Sequence, residues 1–170
     1  MKNVMVDAYI GLGSNLGDRH DNLKNAVRRI ENTRKVNLKA LSSIYESRPE
    51  GGKAGPDFLN AVAAIETDLS IEELLENTEL IEKSMGRVAK GTGANRTIDL
   101  DLLIYGDIEY SSTNLVIPHP KISKRLFVLE PLSELVPLLE VPGTGKKVSC
   151  LLKELSNQSD SVKKCKTLYY

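Results

Sequence analysis

The chain has 170 residues, with 23 Lys and Arg against 23 Asp and Glu, a formal net charge of zero and a pI near 6.7. This length suits one domain that buries roughly 70% of its unfolded surface, and the balanced charge excludes a generic polyanion binder such as a nucleic-acid-binding module, which needs a basic excess. Two His and no Trp exclude chemistry built on a cluster of His ligands, and 41% apolar with 27% charged residues excludes a disordered chain.

Residues 1–13 lack the long apolar core of an export signal, and no run of about 18 uncharged apolar residues reads as a bilayer span. Cys150 and Cys165 have no metal-type spacing and are read as free thiols of a cytoplasmic protein.

Residues 4–13 predict a first strand, followed by Gly-rich sequence at Gly11, Gly13 and Gly17. A helix is expected over 19–31, capped by Asp18, with Leu23, Ala26, Val27 and Ile30 as its buried stripe. A second strand is expected over 36–45. The stretch 46–57 holds Pro49, Gly51, Gly52, Gly55 and Pro56 and reads as a mobile loop. Residues 58–67 predict a strand, and Ser70 with Glu73 a capping box for a helix whose core side is Leu74, Leu75, Thr78, Ile81 and Met85, ended by Gly86. A second Gly-bearing loop spans 86–95. A strand over 97–105 is expected to turn at Gly106-Asp107 into a partner strand reaching Tyr110. Helical sequence follows around Pro131 (127–139) and over 148–155, and a polar tail from 156 to 170 is expected to be partly disordered. Strands interleaved with helices make the chain a single α+β domain over 1–170.

The sharpest local signal is Arg96-Thr97-Ile98-Asp99-Leu100-Asp101-Leu102. Side chains alternate along a strand, so Ile98, Leu100, Leu102 and Ile104 are expected on a core face and Asp99 and Asp101 on the other, about 6.6 Å apart. Asp is unfavourable in strands, and adjacent carboxylates repel. A bound Mg²⁺, which takes one or two carboxylates plus substrate phosphates, relieves both problems. A solvated edge strand is the structural alternative.

The zero net charge hides an asymmetry. Residues 66–82 carry seven acids and no base, and residues 83–96 carry four bases, Lys83, Arg87, Lys90 and Arg96, and no acid. The acidic stretch reads as a solvated helix face. The basic loop leads directly into the Asp pair, as a polyphosphate clamp requires. Pro118-His119-Pro120, with Lys121, Lys124 and Arg125 after it, reads either as a rigid phosphate donor or as a surface turn. Gly11-Leu12-Gly13-Ser14-Asn15-Leu16-Gly17 is neither a P-loop nor a dinucleotide fingerprint. Phe58 and Asn60 share a strand face and read either as a platform for a flat heterocycle or as core plus turn.

Taken in order, Gly-Ser-Asn, Phe-Leu-Asn-Ala, Arg-Thr-Ile-Asp-Leu-Asp-Leu and Pro-His-Pro with Arg-Leu-Phe-Val-Leu-x-Pro-Leu resemble the 6-hydroxymethyl-7,8-dihydropterin pyrophosphokinases over about residues 9–139. The resemblance implies a ferredoxin-like three-layer α/β/α sandwich with a mixed, mainly antiparallel sheet and mobile loops over the active site. It implies transfer of pyrophosphate from ATP to the hydroxymethyl group of a reduced pterin, with AMP released, in folate biosynthesis. A catalytically silent nucleotide- or pterin-binding module on the same fold is the alternative.

Carried onto this chain, the resemblance gives Arg87, Arg96, Asp99 and Asp101 catalytic roles, with two Mg²⁺ ions on Asp99 and Asp101. Glu82, Lys90, Arg96, Leu102, His119 and Arg125 would meet ATP, and Ser47, Phe58, Asn60, Asp99 and Phe127 the pterin. Gly13, Ser14 and Asn15 would shape the first loop. Small-molecule substrates are expected, acting on a monomer, with no nucleic acid and no membrane. The chain departs from the family pattern at Ser47 (commonly Thr), Phe58 (commonly Tyr), Pro120 (Tyr in some members), Asn114 and Val116 (Arg and Thr in others), in lacking a closing-loop Trp, and at Glu50, where an apolar residue is usual.

Overall fold

The computed structural model describes residues 4–87, 95–157 and 162–168. Its first strand, β1 (Val6–Ser14), leads into α1 (Arg19–Glu31). Asp18 caps that helix by accepting from the Asp21 N–H, and Leu23, Ala26, Val27 and Ile30 are its buried residues, the stripe its 3.6-residue period predicts.

The single strand expected over 36–45 is split into β2 (Val36–Leu41) and β3 (Ser43–Ser47), both paired with β4 (Phe58–Thr67). The break falls at Ser42. Its hydroxyl accepts from the Val62 N–H at 2.9 Å and donates to the Ser43 carbonyl at 2.7 Å, filling the gap in the ladder.

Next come α2 (Ile71–Ser84), with the Ser70–Glu73 capping box in place, and β5 (Asp99–Tyr105). The strand expected beyond Gly106 does not return along β5. Instead β6 (Tyr110–Ser111) pairs with β7 (Val116–Ile117), because the turn at residues 112–115 closes on itself through Ser112 N–H to the Leu115 carbonyl, at 2.8 Å. After α3 (Leu126–Leu135), which contains Pro131, the short hairpin β8 (Glu140–Val141) and β9 (Lys146–Lys147) leads to α4 (Val148–Leu155).

The last strand, β10 (Lys163–Thr167), lies within the polar tail, so this part of it is regular structure. It pairs with β3, Lys163 opposite Glu46 and Lys164 opposite Tyr45. An open β3 edge presents unpaired backbone groups, and β10 covers it with polar residues, one of which, Lys164, also reaches Glu134 at 3.3 Å.

The sheet order is β10-β3-β4-β1-β5, with β2 also on β4. Every pairing among the described residues is antiparallel, which sharpens the mixed sheet expected. One apolar layer packs α1 and α2 on one face, and a second packs α3 and α4 on the other, giving α/β/α layers. No helix among the described residues is long and apolar enough to cross a membrane.

A bulge decides which face β5 shows. Ile10 pairs with Leu102, but Tyr9 pairs with Ile104, leaving Leu103 as an extra residue. Leu100 and Leu102 therefore pack with α1 and α2, whereas Leu103 and Ile104 both pack with α3 and α4. Simple alternation placed Ile104 with Leu102, and the bulge overturns that.

Candidate active site

At one end of the α3 face, strands β4, β1 and β5 leave a cleft of about 410 Å³. Its floor is β1. Gly13 lies opposite Asn60 on one side and Asp99 on the other, and Gly11 opposite Val62 and Asp101. A Cβ at Gly13 would sit 3.5 Å from Asn60 Oδ1, 3.7 Å from Phe58 Cδ1 and 4.0 Å from the Asp99 Cβ. These glycines are strand residues whose missing side chains open the floor. The turn belongs to Gly17, whose φ of 67° is left-handed.

Asp99 and Asp101 face the cleft together, as alternation predicts. Asp99 is held by two guanidiniums, Arg87 directly and Arg96 Nη1 at 2.6 Å on Oδ2. Asp101 has longer contacts, 3.6 Å to Arg125 Nη1 and 4.0 Å to His119 Nε2. Arg87 is nearly enclosed and bridges Asp99 to Glu82 Oε1, 2.6 Å away. Burial opposes its charge, but Asp99, Glu82 and Asp101 outweigh that and push its pKa up.

Glu82 is 2% exposed and accepts from the Leu100 N–H at 2.6 Å, so it anchors both Arg87 and the start of β5 from behind. It does not line the cleft, and its role is positional. An acid beside Thr78 and Ile81 on an apolar helix face signals a buried, partnered charge.

The aromatic walls use both Phe residues of the chain. Phe58 opens β4 under the Arg96 guanidinium, 5.6 Å from its ring centre, and Phe127 opens α3 under that of Arg125, at 5.4 Å. Asn60 Nδ2 donates to Ser47 Oγ at 2.9 Å and to the Tyr45 carbonyl at 3.2 Å, which fixes its amide with Oδ1 beside the bare Gly13.

His119 stands at the rim. Its N–H donates to the Leu103 carbonyl at 2.9 Å, and Nδ1 accepts from the Lys121 N–H at 3.1 Å, which leaves the Nε2 edge toward Asp101. Burial pushes its pKa down, against the pull of Asp101 and with the push of Arg125.

Of the residues singled out from sequence, Ser47, Phe58, Asn60, Arg96, Asp99, Asp101, Arg125 and Phe127 line one cleft. Arg87 and His119 touch its carboxylates from the side. Leu102 does not belong: its side chain is 2% exposed in the α1–α2 core, because the strand's alternation turns it away from Asp101. Lys90 lies outside the described residues.

Asn15 does more than shape a loop. Buried, it donates to Asn95 Oδ1 at 3.0 Å and to the Pro56 carbonyl at 3.3 Å, and accepts from the Arg96 N–H at 2.8 Å, tying together the roots of both loops. Sequence reasoning also missed the Glu50–Arg125 pair at 2.9 Å, since nothing local links residues 75 apart.

Facing carboxylates, a rim of guanidiniums and paired aromatic walls in an antiparallel α/β/α sandwich define a small-molecule enzyme site suited to an anionic ligand beside a flat ring. Comparison with known proteins narrows this. Residues 9–137 match the 7,8-dihydro-6-hydroxymethylpterin-pyrophosphokinase family, and the chain belongs to that family. It is 41% identical to a 2-amino-4-hydroxy-6-hydroxymethyldihydropteridine pyrophosphokinase of Bacillus subtilis, over 81% of this chain and 83% of that one. The Haemophilus influenzae protein of the same name is also 41% identical, over 82% and 88%. The fold matches the structure of Plasmodium falciparum HPPK-DHPS wild type with pteroate at a TM-score of 0.73 and 15% identity, covering 91% of this chain but 43% of that longer one.

Proposed function

We propose that the cleft transfers the pyrophosphoryl group of ATP to the hydroxymethyl group of 6-hydroxymethyl-7,8-dihydropterin, releasing AMP, in folate biosynthesis. The observation that carries this reading is the placement of the Asp99–Asp101 pair and its cations in one cleft with Phe58 and Phe127. The pterin ring stacks between the two phenylalanines, with the Asn60 amide and Ser47 hydroxyl at its edge. Arg96, Arg125 and His119 face the phosphates. Arg87, fixed by Glu82, keeps Asp99 oriented.

The pterin hydroxyl oxygen bonds to the β-phosphorus while the bond from that phosphorus to the bridging α-phosphate oxygen breaks, and AMP leaves with that oxygen. The hydroxyl proton passes to Asp101, which faces the cleft beside Asp99. Such transfer depends on positioning and charge neutralisation.

Among the described residues no three His, Cys, Asp or Glu gather into a metal cage. Two oxygen-donor side chains on one face fit Mg²⁺, which keeps waters and substrate oxygens for its other positions. Asp99 and Asp101 would hold two such ions, which supply neutralisation of the triphosphate when bound. A cytoplasmic setting is our reading, supported by two exposed free thiols that suit a reducing compartment; a monomer is our reading of its assembly.

Asp99→Asn and Asp101→Asn test the site in an assay of AMP release with ATP, Mg²⁺ and the hydroxymethyl pterin. Each is expected to lose at least about a hundredfold in turnover. Near-normal turnover in both would remove the carboxylates from the chemistry.

A further inference from the structure

Two cations of the cleft, Arg125 and Lys121, already face a carboxylate from the loop after β3. Glu50 starts the short helical turn Glu50–Gly52, three residues past the end of β3, and lines the cleft together with Lys121 and Arg125. It accepts from Arg125 Nη2 at 2.9 Å and Nε at 3.4 Å, with Lys121 Nζ 3.7 Å away. The same guanidinium points Nη1 at Asp101, 3.6 Å off. One cation is thus stretched between a carboxylate on β5 and one on the loop after β3.

This pair is a poor staple for the fold, because the Glu50 side chain is 46% exposed and pairs so open to water add little stability. It is a good imitation of a ligand. A carboxylate offers a guanidinium fork the same two-oxygen, charged edge that a phosphate does. A phosphate entering the cleft needs the N–H groups that Glu50 holds, and two anions cannot share them without repulsion.

We propose that Glu50 is a built-in competitor for the anion site. It holds Arg125 and Lys121 while no nucleotide is bound, and a polyphosphate displaces it. The turn Glu50–Gly52, whose Gly51 and Gly52 carry φ of 74° and 67°, is then released at the pterin end of the cleft. The inference rests on the proposed reaction for the identity of the anion, and on geometry for the rest.

The test is calorimetric binding of Mg²⁺ with α,β-methylene ATP to wild type, Glu50→Gln, Arg125→Ala and the double variant. Glu50→Gln is expected to tighten binding about fivefold, the worth of one released exposed ion pair. In the Arg125→Ala background the same change is expected to shift binding by less than about twofold, because the competition has lost its closer cation and keeps only the longer contact to Lys121. Glu50→Leu should behave as Glu50→Gln, and melting curves verify that each variant folds. Binding no tighter in Glu50→Gln, or tightening just as large without Arg125, would overturn the proposal. Wild-type AMP release combined with unchanged analogue affinity in Glu50→Gln would sink the competitor and leave the reaction standing. Tighter analogue binding in a protein that forms no AMP would sink the reaction and leave the competitor.

Discussion

Glu82 provides the most demanding check on how the site is supported. Its side chain is 3% exposed and that of Arg87 7%, and the two meet at 2.6 Å. The same Glu82 oxygen takes the Leu100 N–H at 2.6 Å, the first buried amide of the strand carrying Asp99 and Asp101. Glu82→Ala leaves that N–H without this acceptor and takes the Glu82 carboxylate away from a buried guanidinium. Breaking a buried pair costs about 3–5 kcal/mol and orphaning a buried donor about 1–3. Arg87 keeps Asp99, so the lower end applies, about 3–4 kcal/mol. In a domain of this size each kcal/mol lowers the melting temperature by about 2–4 °C, giving a drop of about 6–16 °C. Glu82→Gln still accepts from Leu100 and loses only the charge, which predicts a smaller drop of about 2–8 °C. Thermal denaturation by circular dichroism measures both. Glu82→Ala melting within about 2 °C of wild type, or no lower than Glu82→Gln, would refute the argument that this carboxylate anchors Arg87 and β5.

Gly13→Val should separate folding from binding. A Cβ there makes only ordinary contacts and the backbone needs no glycine, so the melting point should move by no more than about 3 °C. The branched side chain fills the cleft floor and is expected to raise the pterin KM about tenfold to a hundredfold, the kinetic equivalent of about 1–3 kcal/mol of overpacking. An unchanged KM would show that the ring does not lie over β1. Glu134 predicts a pH effect. Burial opposes its charge, but Tyr45, which donates at 2.7 Å, and the Ser43 hydroxyl and N–H, both at 2.9 Å, lower its pKa below the ordinary value. A carboxyl lowered on folding contributes stability above its unfolded pKa, about 4.3, and loses it as pH falls through the folded value. Wild type should therefore melt above Glu134→Gln at pH 7, and the gap should shrink as pH falls below about 4. A gap constant from neutral to acid pH would contradict the assignment.

What the sequence disclosed was local. Asp18 and the Ser70–Glu73 box set the helix starts because capping is decided within three residues. The Asp99–Asp101 pair was legible because alternation is a property of the strand itself. The faces of Leu103 and Ile104 were not, since a bulge depends on the register with β1. Lys163–Thr167 looked like a tail because its polar residues suit an edge strand and solvent equally well, and only β3 decides between them. Glu82 read as part of a solvated acidic helix face and Glu50 as a loop residue standing where an apolar one is usual, because their partners, the Leu100 N–H and Arg125, are brought close by the fold and not by sequence spacing.

The central claim is that the β-phosphorus is attacked and AMP leaves. Phosphorus NMR of the protein with ATP, Mg²⁺ and 6-hydroxymethyl-7,8-dihydropterin reads this directly. The account predicts AMP and a pterin diphosphate formed in equal amounts. ADP with a pterin monophosphate, or nucleotide left intact in the presence of the pterin, would contradict it.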